Sequence, residues 1–144
     1  MATVNPYLNF DGNTEEVFDF YKTAFGGEFA IFQRYGDMPQ SPDGGKPMSD
    51  ADKQKIMHVS LPISEGNILM GSDLIEGFGE PIQEGNNFYI SIATDSREET
   101  DKLFRALSAG GKITMPLADT FWGAYFGMFT DKFGVRWMIN FDHK

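Results

Sequence analysis

Histidine is the residue type best suited to acid–base chemistry near neutral pH, and this 144-residue chain has only two, His58 and His143. His58 lies in an alternating stretch, residues 56–63, that predicts a β-strand. We interpret it as a candidate general acid or base, with a hydrogen-bonded structural histidine as the alternative. His143 stands next to the last residue of the sequence and is expected to be solvated.

Other chemically active side chains are few. No cysteine is present, which excludes thiol nucleophiles, disulfides and thiolate-bound metal ions. Asp131 precedes Lys132, Phe133 and Gly134 in a predicted tight turn, where an aspartate commonly accepts hydrogen bonds from its own backbone. We therefore expect Asp131 to be structural rather than catalytic.

The charge of the chain limits its partners. There are 12 Lys and Arg against 21 Asp and Glu, for a formal net charge of −9, and no run of basic residues occurs. Such a surface repels nucleic acids and anionic bilayers, so neither is an expected partner. No apolar run of about 18 residues predicts a membrane span, and no secretory signal is seen at the start. We expect a cytoplasmic protein.

Two segments, residues 6–32 and 88–115, follow the same order of predicted elements. Each begins with an alternating strand anchored by a tyrosine, Tyr7 or Tyr89, and continues into a helix with one apolar stripe. This similar order at similar spacing predicts an internal repeat.

The ends of the two predicted helices match as well. Asn13 and Ser96 are the expected N-caps, each with a glutamate three residues later. Each helix then stops at a glycine pair, residues 26–27 or 110–111, which suits a left-handed turn.

Further predicted strands complete the pattern β-α-β-β-β, twice, in an α+β protein. Those with clear alternation or turn signals are residues 56–63, 67–72, 112–120, 124–130 and 136–141. Residues 36–55 interrupt the first repeat with three Pro and three Gly, and we leave open whether they form a lid or a disordered insertion.

A specific motif lies near the C-terminus: TFWGAYFG at residues 120–127 and TDKFGVRWMIN at 130–140. With PYLNF at 6–10 and MGSD at 70–73, it resembles the vicinal oxygen chelate superfamily of glyoxalase I, extradiol dioxygenases and bleomycin-resistance proteins. The likeness is greatest to the PhnB-like branch and covers nearly the whole chain. It implies one domain, residues 1–144, with modules at about 4–74 and 86–142. It also implies a cup of curved mixed sheets with helices outside, and a homodimer.

Strand alternation selects the side chains expected to face this cup. In residues 136–141, Trp137 shares an apolar face with Ile139 and Phe141, which leaves Met138 and Asn140 on the other face. The same reasoning gives candidate ligand contacts on the other strands, and the resemblance adds Met70: Asn5, Tyr7, Asn9, His58, Ser60, Met70, Tyr89 and Ser91.

Two aromatic residues beside Gly123 are candidates of a different kind. Trp122 and Tyr125 are predicted either to form a rim over the ligand or to serve as core or dimer contacts.

Metal-using members of the superfamily take single ligands from four strands, and the resemblance places those positions at Asn5, Met70, Tyr89 and Met138. Divalent ions prefer imidazole and carboxylate ligands, and an amide, a phenol and two thioethers are poor substitutes. We therefore predict no metal ion and no other cofactor.

Three functions remain open from the sequence. The first is metal-independent binding of a small, partly apolar ligand. The second is a metal-free lyase or isomerase that uses His58 as its acid or base. The third is a structural dimer whose cup is closed. Whether the protein is an enzyme is thus left undecided.

Overall fold

The computed structural model describes residues 2–37, 48–75 and 80–143. The chain divides into two compact units, Met1–Gln83 (unit 1) and Glu84–Lys144 (unit 2). Unit 1 contains β1 (Tyr7–Phe10), α1 (Thr14–Phe25), β2 (Ile31–Arg34), a 3-10 helix (Tyr35–Asp37), α2 (Asp50–Gln54), β3 (Ile56–Ser64) and β4 (Asn67–Asp73). Unit 2 contains β5 (Ile90–Ala93), α3 (Arg97–Ser108), β6 (Lys112–Asp119), β7 (Ala124–Thr130) and β8 (Arg136–Asp142).

Each unit has one four-stranded mixed sheet. The strand orders are β1-β4-β3-β2 and β5-β8-β7-β6, in which the first pair of each sheet is parallel and the others are antiparallel. The parallel pair requires a crossover connection, and each connection contains the long helix that follows the first strand together with the two antiparallel strands of that unit. The predicted α+β fold with tandem βαβββ modules is confirmed.

Helix α1 packs through the predicted apolar stripe. Val17, Phe18 and Tyr21 have no exposed surface, and the helix lies against β3 and β4. On β4, a Cβ at Gly71 would lie 2.6 Å from Cε1 of Phe18. The close approach of α1 to the sheet therefore depends on glycine at position 71.

The N-terminus of α1 differs from the prediction. Asn13 occupies the predicted N-cap position, but its side chain makes no capping hydrogen bond. Instead Oδ1 of Asp73 accepts hydrogen bonds from Thr14 N (2.9 Å) and Thr14 Oγ1 (2.6 Å), and Oδ2 accepts from Ile56 N (2.8 Å). A carboxylate from the last strand of the unit thus caps α1, where its charge also suits the helix dipole.

The cap predicted for α3 is confirmed. Ser96 Oγ accepts a hydrogen bond from Glu99 N (3.1 Å), and Glu99 Oε1 accepts one from Asp95 N (3.0 Å). The backbone N–H groups at this helix start thus find side-chain acceptors within the five residues 95–99.

The core of unit 2 lies beneath α3. Trp137 is 1% exposed, Phe129 is fully buried, and Phe104 of α3 meets Phe129 edge to face at 5.1 Å. Asp131 has the predicted structural role: its Oδ1 accepts from the backbone N–H groups of Phe133 and Val135. Its Oδ2 also accepts from Trp137 Nε1 (2.9 Å), which joins the turn to the core.

Part of the polar stretch at 36–55 is ordered. Residues 50–54 form α2, whose N-cap Ser49 accepts a hydrogen bond from Asp52 N. The lid-or-insertion alternative concerns mainly residues 38–47, which lie outside the described residues. No helix within the described ranges is long and apolar enough to span a bilayer.

Candidate functional site

The sheet of unit 1 turns one face away from α1. Across its four strands, Tyr7 pairs with Met70, Met70 with Ser60, and Ser60 with Ile31. Paired residues point to the same side, so this row alternates with the buried row that contains Val59. We call this surface the unit 1 face; it comprises Tyr7, Asn9, Ile31, Gln33, His58, Ser60, Met70 and Ser72.

A tyrosine–histidine pair lies on the unit 1 face. The Tyr7 hydroxyl and His58 Nδ1 are 3.3 Å apart, and the two rings stack with centroids 5.7 Å apart. Within the described parts of the chain, no hydrogen bond engages the other ring nitrogen of His58. Since β4 lies between β1 and β3, the pairing follows from the strand order, and nothing local in the sequence signals it.

The remaining candidates of unit 1 are less accessible or already bonded. Asn5 Oδ1 accepts from Ile68 N (3.0 Å), and Asn9 Oδ1 accepts from Ser72 Oγ (3.1 Å). Ser60 is 4% exposed, so its neighbours cover it and it offers a ligand little surface.

Three members of the unit 1 face were missed by the sequence reasoning: Ser72, Gln33 and Ile31. Ser72 is two residues beyond Met70 on the same strand, so alternation alone places it there. The other two lie on β2, to which no face was assigned from the sequence.

The sheet of unit 2 also has a face opposite its helix, which we call the unit 2 face. Met138 pairs with Ser91 and with Met128, and Met128 pairs with Met115. The next row along the strands joins Ala93, Asn140, Phe126 and Ala118, and the row on the other side joins Arg136, Thr130 and Lys112.

The predicted equivalence of Tyr7 and Tyr89 does not hold at the level of strand pairing. Tyr7 pairs with Met70, but the residue that pairs with Met138 is Ser91. Tyr89 precedes the first residue of β5. Side chains along a strand alternate with a period of two, so the pattern looks the same when the two repeats are misaligned by two residues.

Trp122 and Tyr125 fall on different sides of unit 2. Trp122 is 57% exposed in the β6–β7 turn, and its ring meets the edge of Phe126, a member of the unit 2 face, at 6.0 Å. Tyr125 lies on the opposite, helix side, where its hydroxyl donates to Asp101 Oδ1 (2.6 Å). Of the two predicted roles of Tyr125, a rim over the ligand and a core or dimer contact, this position favours the second, because alternation from Phe126 turns the side chain toward α3.

The electrostatics around Tyr125 are dominated by α3. Its hydrogen bond to the Asp101 carboxylate, with desolvation by burial as a second cause, raises the pKa of Tyr125 above its usual value. The Arg97 guanidinium lies 4.3 Å above its ring.

Arg97 also pairs with Asp119, whose carboxylate is 2.9 Å from His143 Nε2. His143 is exposed, as predicted, and its backbone N–H donates a hydrogen bond to Gly123 O, which anchors it to the β6–β7 turn.

A pocket of about 350 Å³ opens where β5 and β8 end in unit 2. Asn140, a predicted ligand contact, lines it together with Ala93, and Asp95 and Asp142 supply carboxylates. It adjoins the Phe126 row of the unit 2 face, since Phe126 pairs with Asn140.

Two tandem βαβββ units, each with an accessible sheet face, define the class of protein. The family profile of the Glyoxalase/Bleomycin resistance protein/Dioxygenase superfamily matches residues 3–139, and the chain belongs to this superfamily.

Known relatives support the same assignment. Protein YjdN of Escherichia coli K12 is 32% identical over 141 residues, which are 95% of this chain and 93% of YjdN. Among solved structures, protein PA1353 from Pseudomonas aeruginosa is 39% identical with a TM-score of 0.83, and the match covers 100% of both chains. A PhnB protein from Bacillus cereus is 24% identical with a TM-score of 0.71, over 97% of this chain and 99% of that one. The predicted resemblance to the superfamily is confirmed.

The residues at the superfamily's metal positions do not fit a divalent ion. Asn5 Oδ1 is already bonded to Ile68 N, and Met70 and Met138 offer only thioethers. In the described residues, no three side chains of His, Cys, Asp or Glu are grouped so that they can share a metal ion.

Proposed function

We propose that this protein binds a small, partly apolar molecule on its sheet faces, without a metal ion. The observation that carries the proposal is the unit 1 face, where the Tyr7–His58 pair stands beside apolar side chains. Tyr7 is 44% exposed and Ile31 is 41% exposed. A few placed polar groups on an apolar wall are what small-molecule sites require.

The Tyr7–His58 pair suggests how a ligand is oriented. The contact of Nδ1 with the Tyr7 hydroxyl and the ring stacking hold the imidazole in place. The free edge of the imidazole then meets a carbonyl or hydroxyl of the ligand, while Met70 and Ile31 contact its apolar part. A site that is ordered before binding loses less conformational entropy when the ligand arrives.

The same pair favours one alternative, a metal-free lyase or isomerase. In that function His58 acts as the acid or base, and the Tyr7 hydroxyl orients its ring or relays a proton. Binding and catalysis make the same contacts, and they differ in whether the ligand leaves chemically unchanged.

Mass spectrometry of the full-length protein under native conditions tests the proposal. We expect a co-purified molecule whose retention is insensitive to EDTA. His58→Gln and Tyr7→Phe should each weaken retention about 10-fold or more, since each removes one polar contact. His143→Gln is the matched control, because it alters the only other histidine, which pairs with Asp119 on the helix side of unit 2.

The mass of the released molecule separates the two functions. An unchanged mass after incubation of the molecule with the protein supports binding. A changed mass that requires His58 supports the lyase or isomerase. Retention that depends on a metal ion, or that survives both unit 1 substitutions, would contradict the proposal.

The homodimer and the cytoplasmic location belong to the same proposal. The dimer is implied by the family resemblance, and the absence of cysteine suits a reducing compartment. Size-exclusion chromatography with light scattering should give twice the chain mass of 16.2 kDa. A monomer at micromolar concentration would contradict the dimer.

A further inference from the structure

We infer that the unit 2 face is a second binding site, separate from the site proposed on the unit 1 face, and that it takes a planar aromatic anion. The first observation is the row of paired methionines, Met138, Met128 and Met115, across three adjacent strands. Met128 and Met138 are partly exposed, and Met115 is 44% exposed. Thioethers are polarisable and make favourable contacts with aromatic rings.

Aromatic side chains border this row on one side. Phe126 is one row away from Met128 on the same strand, and the Trp122 ring meets its edge at 6.0 Å. Trp122 keeps 57% of its surface exposed, although burial of an aromatic ring is strongly favourable. A flat ring placed on the methionines can contact Trp122 and Phe126 at its rim.

Charge is distributed unevenly along the same face. Arg136 and Lys112 lie in one flanking row, joined through Thr130, and no ion pair engages either cation within the described part of the chain. At the other end, Asp142 follows Asn140 on β8 and lines the adjoining pocket with Asp95.

This polarity orients an anionic ligand. Its negative group meets Arg136, which can form a bidentate pair with a carboxylate, and its opposite end points toward Asn140. Asn140 lies four positions after Arg136 on β8, a span of roughly 13 Å at about 3.3 Å per residue. That length suits a fused or two-ring aromatic carboxylate rather than a single small acid.

Three matched probes test the inference on the full-length protein labelled with ¹³C at the methionine methyl groups. The probes are 2-naphthoate, its neutral analogue 2-naphthalenemethanol, and the saturated anion cyclohexanecarboxylate. We expect 2-naphthoate to bind at least 10-fold more tightly than either of the others. Its ring current should shift the methyl resonances of Met128 and Met138, assigned by substitution to Leu, and leave those of Met57 and Met70 in unit 1 unchanged.

Two variants and one control locate the contacts. Arg136→Gln should weaken 2-naphthoate binding about 10-fold, and Trp122→Ala about 5-fold, with 2-naphthalenemethanol affected only by the second. Arg105→Gln removes an exposed cation from α3 and should leave both affinities unchanged. Circular dichroism spectra that match the parent protein show that each variant is folded.

Four results would each overturn the inference. They are equal binding of the neutral probe, shifts at Met70 instead of Met138, no binding of 2-naphthoate, and an unaltered affinity for 2-naphthoate in Arg136→Gln. The proposed function fails separately. A co-purified molecule whose retention depends on His58, found in a protein that ignores 2-naphthoate, refutes the aromatic anion alone.

Discussion

Substitution of Asp73 should destabilise the protein strongly, although this residue is 59 positions from the helix start that it caps. This aspartate is 2% exposed, and its carboxylate accepts three hydrogen bonds from Thr14 and Ile56. It supplies the capping hydrogen bond that the Asn13 side chain does not make. Asp73→Ala therefore removes the cap of α1 and the hydrogen-bond acceptor at the start of β3 together.

The magnitude follows from those two losses. An absent helix cap costs about 1 kcal/mol. Ile56 is 1% exposed, so its N–H stays buried without an acceptor, which costs about 1–3 kcal/mol. We expect Asp73→Ala to lower the free energy of unfolding by about 3 kcal/mol, a large share of the roughly 5–15 kcal/mol typical of a domain.

Urea denaturation followed by circular dichroism measures the effect, with Asn13→Ala and Ser96→Ala as matched cap variants. Asn13→Ala should change the unfolding free energy by less than about 0.5 kcal/mol, and Ser96→Ala should cost about 1 kcal/mol. Asp73→Asn keeps an oxygen for Thr14 but turns a donor toward Ile56 N, so its cost should be intermediate. A loss below about 1 kcal/mol in Asp73→Ala, or an equal loss in Asn13→Ala, would refute the reasoning.

Two other predictions concern packing and pH. Gly71→Ala should lower the free energy of unfolding in urea by about 1–3 kcal/mol, because its Cβ would lie 2.6 Å from Phe18. Gly85→Ala is the control and should have little effect, since the nearest atom to its Cβ would be at 3.6 Å. Equal losses in the two variants would count against the packing argument. The raised pKa of Tyr125 makes the folded state hold its proton more tightly than the unfolded chain. This stabilisation is complete below the unfolded tyrosine pKa of about 10 and is lost as the pH rises through the folded value. Asp101→Asn should move one tyrosine titration to lower pH in ultraviolet difference absorbance, and an unchanged titration would contradict the assigned cause.

The elements of this fold were predictable because their signals are local. The stripe on α1, the hairpin of β3 and β4, and the turn at Asp131 each depend on residues close in sequence. Ser96 was identified as a cap for the same reason, since its hydrogen-bond partner is three residues away. The motif around residues 120–140, which carries the resemblance to the superfamily, is likewise contiguous in sequence.

Sequence reasoning was insufficient where a partner is distant in sequence. Asn13 looks like a cap by residue type, yet the acceptor that reaches Thr14 N is Asp73, 59 residues further on. For Tyr125 the sequence left a rim and a core or dimer contact open, and its pairing with Phe141 and its bond to Asp101 place it under α3. Neither outcome can be read from local spacing.

The candidate site illustrates the same division. Alternation selected Tyr7, His58 and Met138 as residues that face away from the helices, because a strand has only two sides. Alternation does not fix which strands are neighbours or how they are aligned. The order β1-β4-β3 brings Tyr7 to His58, and the register of β8 gives Met138 the partner Ser91.

The amino-acid order by itself determined the helices, the strands, the repeat and the polarity of each strand side, since these depend on periodicity and on turn residues a few positions apart. Only the tertiary structure decided which side chains meet: the carboxylate that caps α1, the Tyr7–His58 pair and the row of methionines across unit 2. Those contacts join residues tens of positions apart, and their geometry is set by hydrogen-bonded strand register, which the chain acquires only when the sheet forms.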